Sequence, residues 1–330
     1  MEMEHRKAKI LIGAICLCAF VLAFFSLTSY QRIAPMFQNT VAIVEPDEQE
    51  LAVMVAACMQ EKPKLAPLED DTVVETEVTS FNLKGLSGKE YDNIPTAVYV
   101  REKIDETVDN ILLVLDGSFY LISQNPEDTQ LVAIHPSMLV PVQGYGWTTL
   151  TQCYELGGLP CVMNTINQAL DLDISQYIFI SSEPIWQVAD KMGGVTVTLT
   201  AKEADEMNRM MSTAYTPGET VMWTGGLTVY TKLEIDGAPF HHWQEVCNVI
   251  VDEAKAKGKT KQLLKAVSHN VSTNFSRKEA KAIKDILLYD DTLEPYNYPV
   301  CSDYKLLEGK PVLDIDLEEA RDELHGLLYR

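Results

Sequence analysis

Asn110–Gly117, NILLVLDG, is the stretch that decides the fold. Five apolar residues in a row, Ile111–Leu115, run straight into the turn pair Asp116-Gly117. Without polar alternation, such a run suits a strand covered on both faces in a parallel or mixed sheet. Outward from it, Phe119–Ser123 and Gln130–His135 read as further strands around an Asn-Pro-Glu-Asp turn at 125–128. Helix then follows over Pro160–Leu172, strand over Gln176–Ser181, helix over Ile185–Met192 up to Gly193-Gly194, and a β-branched strand over Val195–Leu199. Further helices are expected over Ala201–Met211, Phe240–Lys257, Thr260–Asn270, Arg277–Tyr289 and Leu317–Leu328. Strands alternating with helices argue an α/β fold, an α-β-α sandwich around a mixed central sheet.

Before this core the chain changes character. His5, Arg6, Lys7 and Lys9 precede Ile10–Leu27, which carries no charge. At about 1.5 Å per residue that run just spans a bilayer core. The basic flank keeps residues 1–9 in the cytoplasm, so residues 10–27 are a transmembrane anchor and the rest lies outside the cell membrane. Small-x-small cleavage sites are poor here, which favours an uncleaved anchor over a signal peptide. Residues 28–105 form a membrane-proximal connector. Within it Asp47 and Glu50 mark a helix start, Leu65–Asp71 resembles a linker, and Thr72–Val100 holds weak strand signals. Residues 106–330 are the extracytoplasmic domain.

The 330 residues include 27 basic and 48 acidic side chains, a net charge of −21. That surface repels polyphosphate, which argues against nucleic acid as a partner. An anionic ligand would need a local cation or a bridging metal. Of seven cysteines, no pair has the CxxC spacing of a zinc ribbon. Cys153 and Cys161 are near enough in sequence to bridge, although buried free thiols are the simpler reading.

The densest collection of polar groups lies in Gly218–Gln244, GETVMWTGGLTVYTKLEIDGAPFHHWQ. Two turn signals, Pro217-Gly218 and Gly225-Gly226, precede an apolar run over Leu227–Leu233 that reads as a strand. Lys232, Glu234, Asp236, His241, His242 and Trp243 follow within a dozen residues. Glu234, Asp236 and the two histidines would serve as metal ligands. Adjacent histidines on a helix start diverge by about 100°, however, and Asp236-Gly237 is a plain turn signal, so a solvated loop is the simpler reading. Trp147, Trp186, Trp223 and Trp243 are read as packing rather than as sugar platforms, and Asp190 as a structural contact at a helix end.

The order NILLV, IHPSMLVPVQGYG, TQCYELGG, INQALDLDISQYIFI, VADKMGGVTV, PGETVMWTGGLTVY and DIDLEEARDELHGLLY, from about Asn110 to Arg330, resembles the LytR-CpsA-Psr family. The resemblance implies a Gram-positive cell-envelope protein that holds a polyprenyl-pyrophosphate lipid, with arginines on the pyrophosphate and acidic residues carrying Mg2+. Its implied activity is phosphotransfer of a glycopolymer, such as teichoic acid or capsule, from that lipid to peptidoglycan. Carried onto this chain, the resemblance makes Lys232, Asp116, Glu234, Asp236 and Gln244 the substrate- and phosphate-binding candidates, with Asp116 and Asp236 as the metal ligands. The family's cationic positions are depleted. His135-Pro136-Ser137 stands where Pro-Arg-Asp is expected, Thr149 and Thr151 replace Lys and Asn, and Lys232, Glu234 and Phe240 fall at arginine positions. One lysine survives, able to hold a phosphate as a point charge without the bidentate fork of arginine. Weakened or lost catalysis is the expectation, the alternative being a non-catalytic polyprenyl-lipid-binding or scaffold partner of active relatives.

Overall fold

The structure, a computed structural model, describes residues 41–46, 52–54, 56–57, 60–67, 94–95, 97–99, 101–126, 128–233, 239–275, 295–300 and 303–329. The predicted anchor at 10–27 and the predicted helix over Arg277–Tyr289 lie outside them. Among the described residues no helix is long and apolar enough to cross a membrane. They divide into two compact units, one continuous over Phe179–Pro295, the other assembled from Asn39–Ile178 and Tyr296–Arg330.

The assembled unit is built on a mixed sheet. Strands β4 (Asp109–Leu115), β5 (Ser118–Gln124) and β6 (Thr129–Ile134) form an antiparallel meander. β9 (Gln176–Ile180) lies beside β4, and β13 (Tyr296–Tyr298) adds to β6 in parallel. Ile111–Leu115 are all buried, as an uninterrupted apolar run demands. The β4–β5 link is a two-residue turn in which Asp116 has φ 50° and Gly117 φ 99°. Positive φ at both central positions is the mirror-image turn that matches strand twist, and Asp-Gly is among its preferred pairs.

Around this sheet, β1 (Ala42–Val44) pairs in parallel with β3 (Ala97–Tyr99), and β7 (Leu139–Val142) forms a hairpin with β8 (Gly146–Thr149). β14 (Tyr304–Leu307) lies between β15 (Lys310–Leu313) and β2 (Ala66–Pro67), so part of the stretch read as a linker is a short strand.

Helix α1 (Leu150–Ala169) starts ten residues before the expected Pro160, because Thr149 caps it by accepting from the Gln152 amide. It then bends at Gly158, which has φ 64° and ψ −152°, two residues before Pro160. Helix α7 (Leu317–Leu328) closes the chain with the predicted bounds, capped by Asp316 through the Glu318 and Glu319 amides.

The continuous unit holds α2 (Glu183–Asp190), β10 (Val195–Leu199), α3 (Ala201–Met211), β11 (Gly218–Met222), α4 (Thr224–Tyr230), α5 (Pro239–Ala256), α6 (Thr260–Asn270) and the short β12 (Val271–Thr273). β10 and β11 pair antiparallel. Five of these elements follow the sequence within two residues at each end. The run over Leu227–Leu233 does not: it was expected as a strand, and residues 224–230 are helical. The strand in this region is Gly218–Met222 instead. The Asp190 carboxylate supplies the missing cap, accepting from the Thr224 amide at 2.9 Å and its hydroxyl at 2.7 Å. That confirms Asp190 as a structural contact, and a partner 34 residues away outweighs the β-propensity of Thr228 and Val229.

Candidate functional site

In the continuous unit, α4 ends at Tyr230, which is 1% exposed. Thr231 closes the helix by donating from its hydroxyl to the Leu227 carbonyl at 2.9 Å. Lys232 follows at once, half-buried, its amide bonded to the Val229 carbonyl. Glu234 and Asp236 lie outside the described residues. The chain is described again from α5, whose first turns carry His242, Trp243 and Gln244, all buried.

A buried polar cluster joins these elements. His242 Nε2 lies 2.9 Å from Glu203 Oε1, with the side chains 8% and 12% exposed. Because an ionised carboxylate only accepts, Nε2 carries the proton. His242 Nδ1 is buried with no hydrogen-bond partner. The Tyr230 ring meets the imidazole edge-on, centroids 4.7 Å apart, and its hydroxyl donates to Glu245 Oε2 at 2.7 Å. Burial, with the Glu245 and Glu203 charges, pushes the Tyr230 hydroxyl far above its ordinary value, so it stays a donor. Glu203 also completes a capping box with Thr200 at the start of α3. Burial raises its carboxyl, but bonds from Thr200 and His242 outweigh that and hold it below the usual carboxylate range.

His242 is therefore part of a packed, buried hydrogen-bonded pair with Glu203, not of a solvated loop. Its function is to fix the start of α5, the helix that carries Gln244. Next to it, Trp243 donates from its indole to Ser182 Oγ at 2.6 Å and packs on Trp186 with centroids 6.5 Å apart. The two tryptophans are packing residues, as expected. Trp223, by contrast, is 53% exposed.

The Glu203 pairing has a measurable consequence. Glu203→Gln is expected to lower stability at neutral pH by about 1–3 kcal/mol, the range for a hydrogen bond to a charged group. A depressed folded pKa contributes stability that is present above the unfolded value and lost as pH falls through the folded one. The deficit should therefore shrink in urea titrations taken below the carboxylate range. A deficit unchanged between neutral and strongly acidic pH would show that the charge is not what stabilises.

Asp116 belongs to the assembled unit, whereas Lys232 and Gln244 belong to the continuous one. Among the described residues no group of three His, Cys, Asp or Glu side chains is placed to hold a metal ion. Mg2+ is commonly held by one or two carboxylates with phosphate oxygens and water completing the shell. Asp116, half-buried on its tight turn, offers one carboxylate.

An open cleft of about 380 Å³ in the assembled unit is lined by Lys62, Pro63, Leu65, Pro67, Lys305 and Asp314. Lys62 and Lys305 both pair with Asp314, and Lys305 also with Asp303, so carboxylates already meet both cations.

Sequence reasoning named Lys232, Gln244 and Asp116 as candidates and did not single out Glu203, Glu245 or Ser182. Only Glu203 left a signal, the Thr200-x-x-Glu203 pattern of a capping box. Nothing local marks its pairing with a histidine 39 positions later.

The LytR_cpsA_psr family model matches residues 119–319. Biofilm regulatory protein A of Streptococcus mutans is 25% identical over 235 residues, covering 64% of this chain and 58% of that protein. The polyisoprenyl-teichoic acid–peptidoglycan teichoic acid transferase TagT of Bacillus subtilis is 23% identical over 243 residues, covering 66% of this chain and 74% of that one. The solved structure of the family protein YwtF (TagT) with bound octaprenyl pyrophosphate lipid shares the fold at a TM-score of 0.50 and 16% identity, over 69% of this chain and 94% of that one. The mixed α/β architecture around a central mixed sheet is thus the one found in that structure.

Proposed function

Because the chain belongs to the LytR-CpsA-Psr family, we propose that it is a membrane-anchored, extracytoplasmic protein of cell-envelope assembly that binds a polyprenyl-pyrophosphate-linked glycopolymer and transfers it weakly or not at all. In this reading residues 10–27 are the anchor, and the α/β domain is a sandwich facing away from the cytoplasm. Support for the ligand comes from the relatives: TagT is named for teichoic acid transfer to peptidoglycan, and its structure holds a polyprenyl pyrophosphate.

One observation carries the reading of weak transfer. The segment Gly218–Gln244 holds a single lysine, Lys232, and no arginine. Phosphoryl transfer gains most of its rate from positive charge around the phosphoryl oxygens. Lys232 would grip the pyrophosphate as a point charge, and Gln244, held on a fixed helix start, would orient a phosphate or sugar oxygen. By the family resemblance Asp116 and Asp236, the latter outside the described residues, are each candidate ligands for Mg2+, which would supply charge neutralisation when bound. Such a set favours binding over turnover.

The full chain in detergent, mixed with a polyprenyl pyrophosphate and Mg2+, is the direct test. Binding without product release is expected, beside B. subtilis TagT as the active comparator. Lys232→Ala should weaken binding about 10- to 100-fold, the value of one hydrogen bond to a charged group. Turnover at the comparator's rate would overturn the reading of weakened transfer. Unchanged binding by the lysine variant would remove Lys232 from the headgroup, and no binding by the parent chain would remove the lipid.

A further inference from the structure

Eight residues separate Cys153 from Cys161, which on a straight helix means about 12 Å along the axis. In α1 their sulfurs are 3.1 Å apart, and both residues are 0% exposed. The bend at Gly158 makes the difference. Positive φ there breaks the helical path, and Pro160 has no amide to restore the ladder. Gly157 completes the approach, because a Cβ at that position would lie 2.6 Å from the Cβ of Cys161. The sequence Gly-Gly-Leu-Pro therefore folds the second cysteine back over the first.

We propose that Cys153 and Cys161 are a disulfide-forming pair that bridges the bend of α1. A disulfide bond measures about 2.05 Å, so the sulfurs need to close by only about 1 Å. In the reaction two thiols lose two protons and two electrons, and one S–S bond forms. The electrons reduce the oxidant, a small-molecule or protein disulfide, which leaves as two thiols after passing through a mixed disulfide. Both sulfurs are buried in the folded chain, and burial holds the Cys153 thiol well above its ordinary value. Exchange therefore takes place while α1 is still closing. The expected position outside the cytoplasm is the compartment in which such bonds persist.

The test uses the full chain, reduced and unfolded, then refolded with oxidised glutathione. All remaining thiols are alkylated in denaturant without reductant, and the digest is analysed by mass spectrometry. The expected product is one peptide pair joined through Cys153 and Cys161, two hydrogens lighter than the free peptides and released by reductant. Both residues alkylated, or either joined to Cys58, Cys247 or Cys301, would overturn the proposal. The variant Cys153→Ser should leave Cys161 alkylated and unlinked, so a new cross-link from Cys161 would show that the bend does not select its partner.

Discussion

Trp243→Ala is expected to destabilise the continuous unit by about 3–5 kcal/mol, the range for removing a buried tryptophan. The side chain is 2% exposed, so its loss opens a cavity against Trp186. It also removes the indole donor from the Ser182 hydroxyl, at the N-terminal end of α2. Trp243→Phe should cost less, because the ring volume is largely kept and only the hydrogen bond goes. Urea unfolding followed by circular dichroism provides the measurement. The alanine variant should lower the midpoint with an unchanged slope, as a change in stability alone requires. A loss below about 1 kcal/mol would mean that the first turns of α5 are not held by this contact, and the account of Gln244 as a fixed group would go with it.

The second large effect belongs to Asn164. Its Oδ1 accepts from the Tyr99 amide at 2.9 Å, and its Nδ2 donates to the Ala97 carbonyl at 2.8 Å. The side chain thus stands in for a neighbouring strand along β3, whose other partner is β1. Asn164→Leu keeps a similar volume but takes both bonds away, one from a buried and one from a half-buried backbone group. At about 1–3 kcal/mol for each, the loss should be about 2–6 kcal/mol. Hydrogen exchange gives the local readout, with the Tyr99 amide expected to exchange far faster in the variant. An amide as protected as in the parent chain would show that the asparagine is dispensable to β3.

The sequence revealed most where local signals agree. The meander β4–β5–β6 follows from continuous apolar runs closed by Asp116-Gly117 and by the Asn125–Asp128 turn. Helices α3 and α7 were legible to their ends because Thr200 and Asp316 cap them with side chains of their own. Helix α4 was hidden, since its composition favours a strand and its cap comes from Asp190 on another helix. The start of α1 was hidden for the opposite reason: two glycines and a proline punctuate a helix that bends rather than stops.

The same division holds at the site. Lys232 and Gln244 were legible as residue types in a suggestive order. The Glu203–His242 pair was not, because tertiary packing alone brings α3 and α5 together. Reading His242 as solvent-facing followed from the polar composition of its neighbours, which decides nothing once a carboxylate from another helix meets it in the interior.

The assembled unit has a consequence for the order in which the chain acquires its structure. Its sheet is finished by Tyr296, which pairs with Val132, and its last hairpin receives Ala66 beside Leu306. Both contacts wait until the whole of Phe179–Pro295 has emerged, and closing so long a loop slows folding. The continuous unit has no such wait, since the strands that pair with β10, β11 and β12 all precede Tyr296 in the chain. During synthesis it can therefore be complete while β6 still exposes a bare edge, and β13, made only after it, protects that edge from pairing with a stranger.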